Sequence, residues 1–264
     1  MIQKHDPKMH QSQPHEIDSA RRKFLGGSAG ALAGVVIAPG VLLSQVALAK
    51  PADQAVSSDN RWGMLIDTNK CDKGCDACVR GCQTENGWGS NETHSAETQT
   101  AQWIRKVELR DKNTGHATSL PLMCQHCEHP PCVDVCPTGA SFKREDGIVL
   151  VDKHICIGCR YCMMACPYKA RSFIHEALQD QLPVAPRGKG TVESCTLCVH
   201  RVDKDGDNAV PACAEACNSE GHEAFVFGDL NNPESRISQE LAKHGGTQIR
   251  ADLGLNVGIR YRGI

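Results

Sequence analysis

Cys156, Cys159, Cys162 and Cys166 stand in the spacing C-x2-C-x2-C-x3-C, closed by Pro167. Thiolates are soft ligands that suit iron–sulfur clusters. Three of them two residues apart, on a loop bent by a small residue such as Gly158, can reach three corners of one iron–sulfur cubane. A fourth, three residues on, falls in the first turn of a following helix and points elsewhere, toward a second cluster. One such run therefore predicts a partner run.

The chain has 16 cysteines, and they fall into four groups of four. Group one is Cys71-x3-Cys75-x2-Cys78-x3-Cys82. Group two is Cys124-x2-Cys127-x4-Cys132-x3-Cys136, followed by Pro137. Group three is the run above, and group four is Cys195-x2-Cys198-x14-Cys213-x3-Cys217. Every group ends in x3-Cys and no thiol is left over. The reading is four [4Fe–4S] clusters with cysteine-only ligation, of the kind bacterial ferredoxins hold. Disulfide scaffolds do not generate repeated x2 and x3 spacings, and zinc ribbons do not use tight four-cysteine runs. A covalent haem needs C-x-x-C-H, whereas Cys127 precedes Glu128 and Cys198 precedes Val199.

The crossover rule of two-cluster ferredoxins gives the ligand sets. Cys124, Cys127 and Cys132 take Cys166, while Cys156, Cys159 and Cys162 take Cys136. Cys71, Cys75 and Cys78 take Cys217, while Cys195, Cys198 and Cys213 take Cys82. The inner unit, residues 120–185, is then inserted between the halves of an outer unit, 50–119 plus 186–264, which includes a cysteine-free tail. A row of one-electron sites is a wire, and no constellation for bond chemistry accompanies it. His126, His129 and His154 lie beside cluster cysteines, where they either tune potential or simply pack or face solvent.

Short strands should deliver the chain into these loops. Arg61–Asp67 reads as a strand feeding group one, Gln102–Leu109 as another before a turn at Asn113–Gly115, and Ile148–Asp152 as a strand feeding group three. Thr84–Gln99 and Val184–Thr191 read as loops. Cys136-Pro-Thr-Gly-Ala-Ser-Phe142 echoes Cys166-Pro-Tyr-Lys-Ala-Arg-Ser-Phe173, a repeat of strand, cysteine loop, short helix and strand. Val202–Asn208, which stretches group four, reads as a solvated hairpin tip; its Asp203-x-Asp205-Gly-Asp207 lacks the glutamate of a calcium loop. Aromatic residues make up only 4% of the chain, which fits a core partly replaced by clusters. The tail ending at Ile264 is expected to wrap the domain or dock on a partner.

Residues 1–49 resemble a twin-arginine export signal: Arg21-Arg22, a glycine-rich apolar stretch, and Ala47-Leu48-Ala49 as a cleavage signature. An uncleaved anchor is opposed by Pro39 and by Gly26, Gly27, Gly30, Gly34 and Gly40. That route carries folded proteins, so clusters built in the cytoplasm could cross to the periplasm intact. Without this segment 24 basic residues face 28 acidic ones, net −4. No basic patch suggests nucleic acid.

The four groups, from Cys71 to Cys217, resemble the four-cluster electron-transfer subunits of membrane redox complexes, the beta-subunit family of dimethyl sulfoxide, polysulfide and formate enzymes. The resemblance implies an α+β fold of two dicluster-ferredoxin-like domains, the same ligand sets, and no catalysis by the chain itself. The signal, the extra residue in Cys71-Asp-Lys-Gly-Cys75 and the tail Ala251–Ile264 narrow it to iron–sulfur subunits of sulfite-reductase-associated complexes. Nitrite, tetrathionate and polysulfide reductase subunits are the near alternatives. The partners then implied are a multi-helix quinone-interacting membrane subunit and a multihaem cytochrome c. A remote alternative is a radical SAM enzyme, whose C-x3-C-x2-C triad matches Cys71, Cys75 and Cys78; the chain shows no long strand–helix alternation for such a barrel.

Overall fold

The computed structural model describes residues 56–89, 99–179 and 181–264, all within the compact unit Leu48–Ile264. The expected export segment lies outside the described residues, as do residues 50–55 that follow it.

β1, Trp62–Asp67, is apolar on both faces because it is the middle strand of three. β8, Phe225–Asp229, pairs with it antiparallel, Met64 opposite Phe227; β9, Ile259–Arg262, pairs parallel, Ile66 opposite Tyr261. Trp62 stacks on Phe227 with centroids 5.4 Å apart. The remaining strands form two-stranded ribbons. β2 (Ile104–Arg110) pairs with β3 (Ala117–Met123), β4 (Ser141–Lys143) with β5 (Val149–Val151), and β6 (Ser172–Phe173) with β7 (Val192–Glu193). The β2–β3 turn is set by Asp111, whose carboxylate accepts from the Asn113 and Thr114 amides at 2.7 and 2.8 Å.

Six α-helices carry or flank the cysteine loops among the described residues: α1 (Ala77–Asn86), α2 (Pro131–Asp134), α3 (Tyr161–Ala165), α4 (Val199–Asp205), α5 (Ala212–Ser219) and α6 (Arg236–His244). α1 packs on α5, and α2 on α3. The first contact is close because residue 81 is glycine: a Cβ there would sit 2.5 Å from that of Ala216 and 2.9 Å from the Ala212 carbonyl oxygen. That packing brings Cys78 and Cys82 to the helix carrying Cys213 and Cys217.

Strands β1, β2 and β5 lie where the alternation predicts them, and the echoing segments after Cys136 and Cys166 lead into β4 and β6. Three local expectations are corrected. The third cysteine of the inner groups, not the fourth, stands in the helix: Cys132 in α2 and Cys162 in α3, with Cys166 capping α3 and Cys136 beyond α2. α1 runs on to Asn86 and stops at Gly87 in the left-handed region (φ 65°), so the loop begins later than Thr84. Val202–Asn208 is not a hairpin tip. It ends α4 and adds a 3-10 turn, because Val202 is buried and Asp203 accepts a forked bond from Arg144 at 2.6 and 2.9 Å.

The tail wraps. β9 fills the third place in the sheet, Gly258 donates to the Gln125 carbonyl at 2.8 Å, and the buried Tyr261 hydroxyl donates to the Pro121 carbonyl at 3.0 Å. Group two is thereby tied to the central sheet. Among the described residues no helix is long and apolar enough to cross a membrane.

Candidate iron–sulfur sites

All sixteen cysteines are free thiols. Among the described residues no three His, Cys, Asp or Glu side chains converge tightly enough to hold a single metal ion. Eight of the cysteines stand around two cavities instead.

Two cavities are each lined by four of the cysteines. Cys82, Cys195, Cys198 and Cys213 line one, between the end of α1 and the start of α5. Cys124, Cys127, Cys132 and Cys166 line the other, between α2 and α3. Each set takes three thiols from one group and a fourth from its partner group. In a third set Cys71 and Cys78 lie within electrostatic reach of Cys75 and Cys217. Cys162 neighbours Cys156, while Cys136, two residues past α2, and the exposed Cys159 are joined to them only by the expected spacing.

The sets adjoin in a fixed order. Cys213 is close enough to Cys78 to feel its charge, Cys195 to feel that of Cys124, and Cys162 to feel that of Cys132. The thiols therefore follow one another as Cys71, Cys75, Cys78 and Cys217, then Cys82, Cys195, Cys198 and Cys213, then Cys124, Cys127, Cys132 and Cys166, then Cys156 and Cys162. Burial follows the same order: all eight thiols of the two middle sets are buried, and each end set contains partly or fully exposed ones.

The surroundings suit an anionic sulfur-rich group. Backbone amides aim at sulfur: Leu197 at Cys195 and Ala212 at Cys198, both 3.4 Å, and Ser141 at Cys136, 3.3 Å. The Trp88 indole donates to Cys82 at 3.2 Å, and Asn86 to the same sulfur at 3.5 Å. Trp103, whose buried indole N–H has no partner among the described residues, lines the first cavity. Tyr168 and Arg171, each with an unpartnered buried donor, line the second. Orphaned buried donors are costly unless something in the cavity accepts from them.

Burial pushes the thiols of Cys78, Cys82 and Cys127 up to about 12, and raises those of Cys124, Cys195 and Cys213. Lys106 pulls Cys71, Cys78 and Cys217 the other way without overcoming burial. Thiols held protonated this firmly become ligands only when bound metal supplies the opposing charge.

The histidines beside the cysteines divide. His129 and His154 face solvent. His126 is buried with a positive φ of 43°, and its Nδ1 accepts from the Val149 amide at 3.1 Å. Burial lowers its pKa to about 3, so it is neutral. Trp88, Asn86, Trp103, Tyr168 and Arg171 escape the sequence reading because no spacing distinguishes them from packing or surface residues.

Models of the 4Fe-4S dicluster domain match residues 70–140 and 116–229. The chain is 41% identical to the Hdr-like menaquinol oxidoreductase iron–sulfur subunit 1 of Archaeoglobus fulgidus, over 92% of this chain and 97% of that one. It is 36% identical to a subunit of the tetrathionate reductase of Salmonella typhimurium, over 86% of this chain and 81% of that protein. It is also 36% identical to the menaquinone reductase iron–sulfur cluster-binding subunit of Nitratidesulfovibrio vulgaris, over 76% and 88%. With two dicluster domains and sixteen cysteines to fill them, the protein carries four [4Fe–4S] clusters, and it belongs to the family of dicluster iron–sulfur subunits of oxidoreductases.

Proposed function

We propose that the chain is a non-catalytic electron relay, with each of the four cysteine sets above holding one cluster. Each cluster, when bound, accepts and returns one electron. The observation that carries this reading is the row itself: two fully buried middle sets between two end sets that reach the surface. Buried thiols, apolar walls and amide donors keep water from the middle of the row, and the ends are where partners exchange electrons. The pairing of β1 with β8 and the packing of α1 on α5 support an outer domain closed around an inserted inner one.

The end built on Cys156, Cys159 and Cys162 also exposes Ile155, Ile157, Tyr161 and Met164. We place the membrane partner, a multi-helix quinone-interacting subunit, on that surface. A multihaem cytochrome c is placed at the Cys71 end. The protein is exported through the twin-arginine route and works in the periplasm, held at the inner membrane by its partner; the Arg21-Arg22 segment supports this. Within the family it is read as the DsrO type, the iron–sulfur subunit of a sulfite-reductase-associated transmembrane complex. Extensive identity to a menaquinol oxidoreductase subunit supports the quinone link. Identity to a tetrathionate reductase subunit favours the second reading, a subunit of a tetrathionate, nitrite or polysulfide reductase.

An anaerobic pull-down from mildly solubilised membranes, identifying every co-purifying chain, tests this. A quinone subunit with a multihaem cytochrome is the expected recovery. A molybdopterin or pentahaem catalytic subunit keeps the relay and overturns the choice of complex.

A further inference from the structure

Arg171 is 6% exposed, yet it has no carboxylate beside it among the described residues. The contrast is Arg187, equally buried but forked onto Glu193. Around Arg171 the anionic candidates are thiols: Cys132, Cys124 and Cys162. Its Nη2 donates to Cys132 Sγ at 3.1 Å and to Ser141 Oγ at 2.8 Å. Its Nη1 is buried with no acceptor among the described residues. The Ser141 amide in turn donates to Cys136 Sγ at 3.3 Å. One guanidinium thus touches the set 124/127/132/166 directly, faces Cys162 of the set 136/156/159/162, and reaches Cys136 through Ser141.

A buried cation is expensive unless an anion compensates it. Four thiolates outweigh the positive charge of a four-iron cluster, so either site, once filled, supplies that anion, and an added electron deepens it. The site of Cys82 differs. Its side-chain donors Trp88 and Asn86 are neutral, and the nearby Arg201 is neutralised by Glu85 and Glu215.

We propose that Arg171 is the potential-setting residue of the inner pair, its fixed charge raising the reduction potential of the sites at Cys124/127/132/166 and Cys136/156/159/162 together. No bond is made or broken. One electron enters a site, and the guanidinium, which cannot lose its proton, stabilises the extra charge. The inference rests on the ligand sets proposed above.

The test uses the full chain purified anaerobically, with iron and sulfide assays and potentiometric EPR on the wild type, Arg171→Lys and Arg171→Gln. Fewer than four clusters in the wild type overturns the ligand sets, and with them this proposal. With four present, Arg171→Gln is expected to lower the midpoints of two of the four signals. The reduced-to-oxidised ratio at fixed potential should fall at least tenfold, or 59 mV for one electron. The other two signals should stay in place, and Arg171→Lys, which keeps the charge, should stay near the wild type. No shift, or an equal shift of all four, overturns the proposal. If both variants lose clusters, electron–nuclear double resonance on reduced wild type carrying ¹⁵N-arginine decides. Coupling of guanidinium nitrogen to the signal of the cluster held by Cys132 supports the proposal, and its absence overturns it.

Discussion

Arg187 grips Glu193 with two parallel hydrogen bonds, Nε to Oε2 at 2.8 Å and Nη2 to Oε1 at 2.7 Å, with the two side chains 3% and 0% exposed. Nη1 of the same guanidinium donates to the Gly87 carbonyl at 2.8 Å, just past the end of α1. The stretch that delivers group four is thereby fastened to the helix that carries Cys78 and Cys82. Glu193→Ala removes the buried carboxylate that accepts both bonds and should cost ~3–5 kcal/mol. Anaerobic thermal unfolding measures it. Replacing both partners by apolar residues of similar volume should cost clearly less, and equal losses would count against the pair as the cause.

Gly81 is the contact point of α1 and α5. Gly81→Val should force those helices apart and disturb the two sites they share, leaving the inner pair untouched. Iron analysis should then find about half the wild-type content, since two of four clusters are affected. Full retention of iron would show that the close approach does not position the outer ligands.

The cysteine spacing made much of this legible. It singled out the sixteen thiols, and two cavities gather Cys82 with Cys195, Cys198 and Cys213, and Cys166 with Cys124, Cys127 and Cys132. What it could not show was the long-range packing. β9 joins β1 in parallel across almost two hundred residues, and nothing in Ile259–Arg262 alone names its partner. Val199 and Val202 do stand three apart, the helical signal in a stretch whose charges suggested a solvated tip. Arg171 reads as an ordinary surface arginine; its one sequence cue is its place in the repeat after Cys166, where the earlier copy has no arginine. An arginine goes inside only where a charge awaits it, and that charge belongs to a group the sequence implies without displaying.

Glu85 of α1 accepts from Arg201 Nε at 2.6 Å and Nη2 at 2.7 Å, with His200 Nε2 at 2.7 Å. The Arg201 hydrogen bonds chiefly, with help from His200, lower its pKa from 4.5 to about 2. A folded-state value below the unfolded one contributes stability above the unfolded pKa, and that stability is lost as pH falls from about 4.5 towards 2. Denaturant unfolding at about pH 5 and about pH 3 should show the wild type losing more stability than Glu85→Gln. Parallel pH dependence in the two proteins would rule Glu85 out as the cause.

Ile157 and Met164 are 66% and 67% exposed beside the accessible thiol Cys159. Ile157→Asp and Met164→Asp should change folding stability by no more than ~0.5 kcal/mol, since neither side chain is buried in the chain. Recovery of the membrane partner in a pull-down should fall at least ~10-fold, the equivalent of ~1.4 kcal/mol of binding. Undiminished recovery would move the membrane partner to another face.

Four clusters in one row on the four cysteine sets is the claim on which the relay stands. Its most direct test is quantitative iron and sulfide analysis of the anaerobic full chain, with EPR after complete reduction. Sixteen of each per chain, with spectra broadened by magnetic interaction between neighbouring reduced sites, is the predicted result. Twelve irons or fewer, or four signals with no mutual interaction, would contradict it.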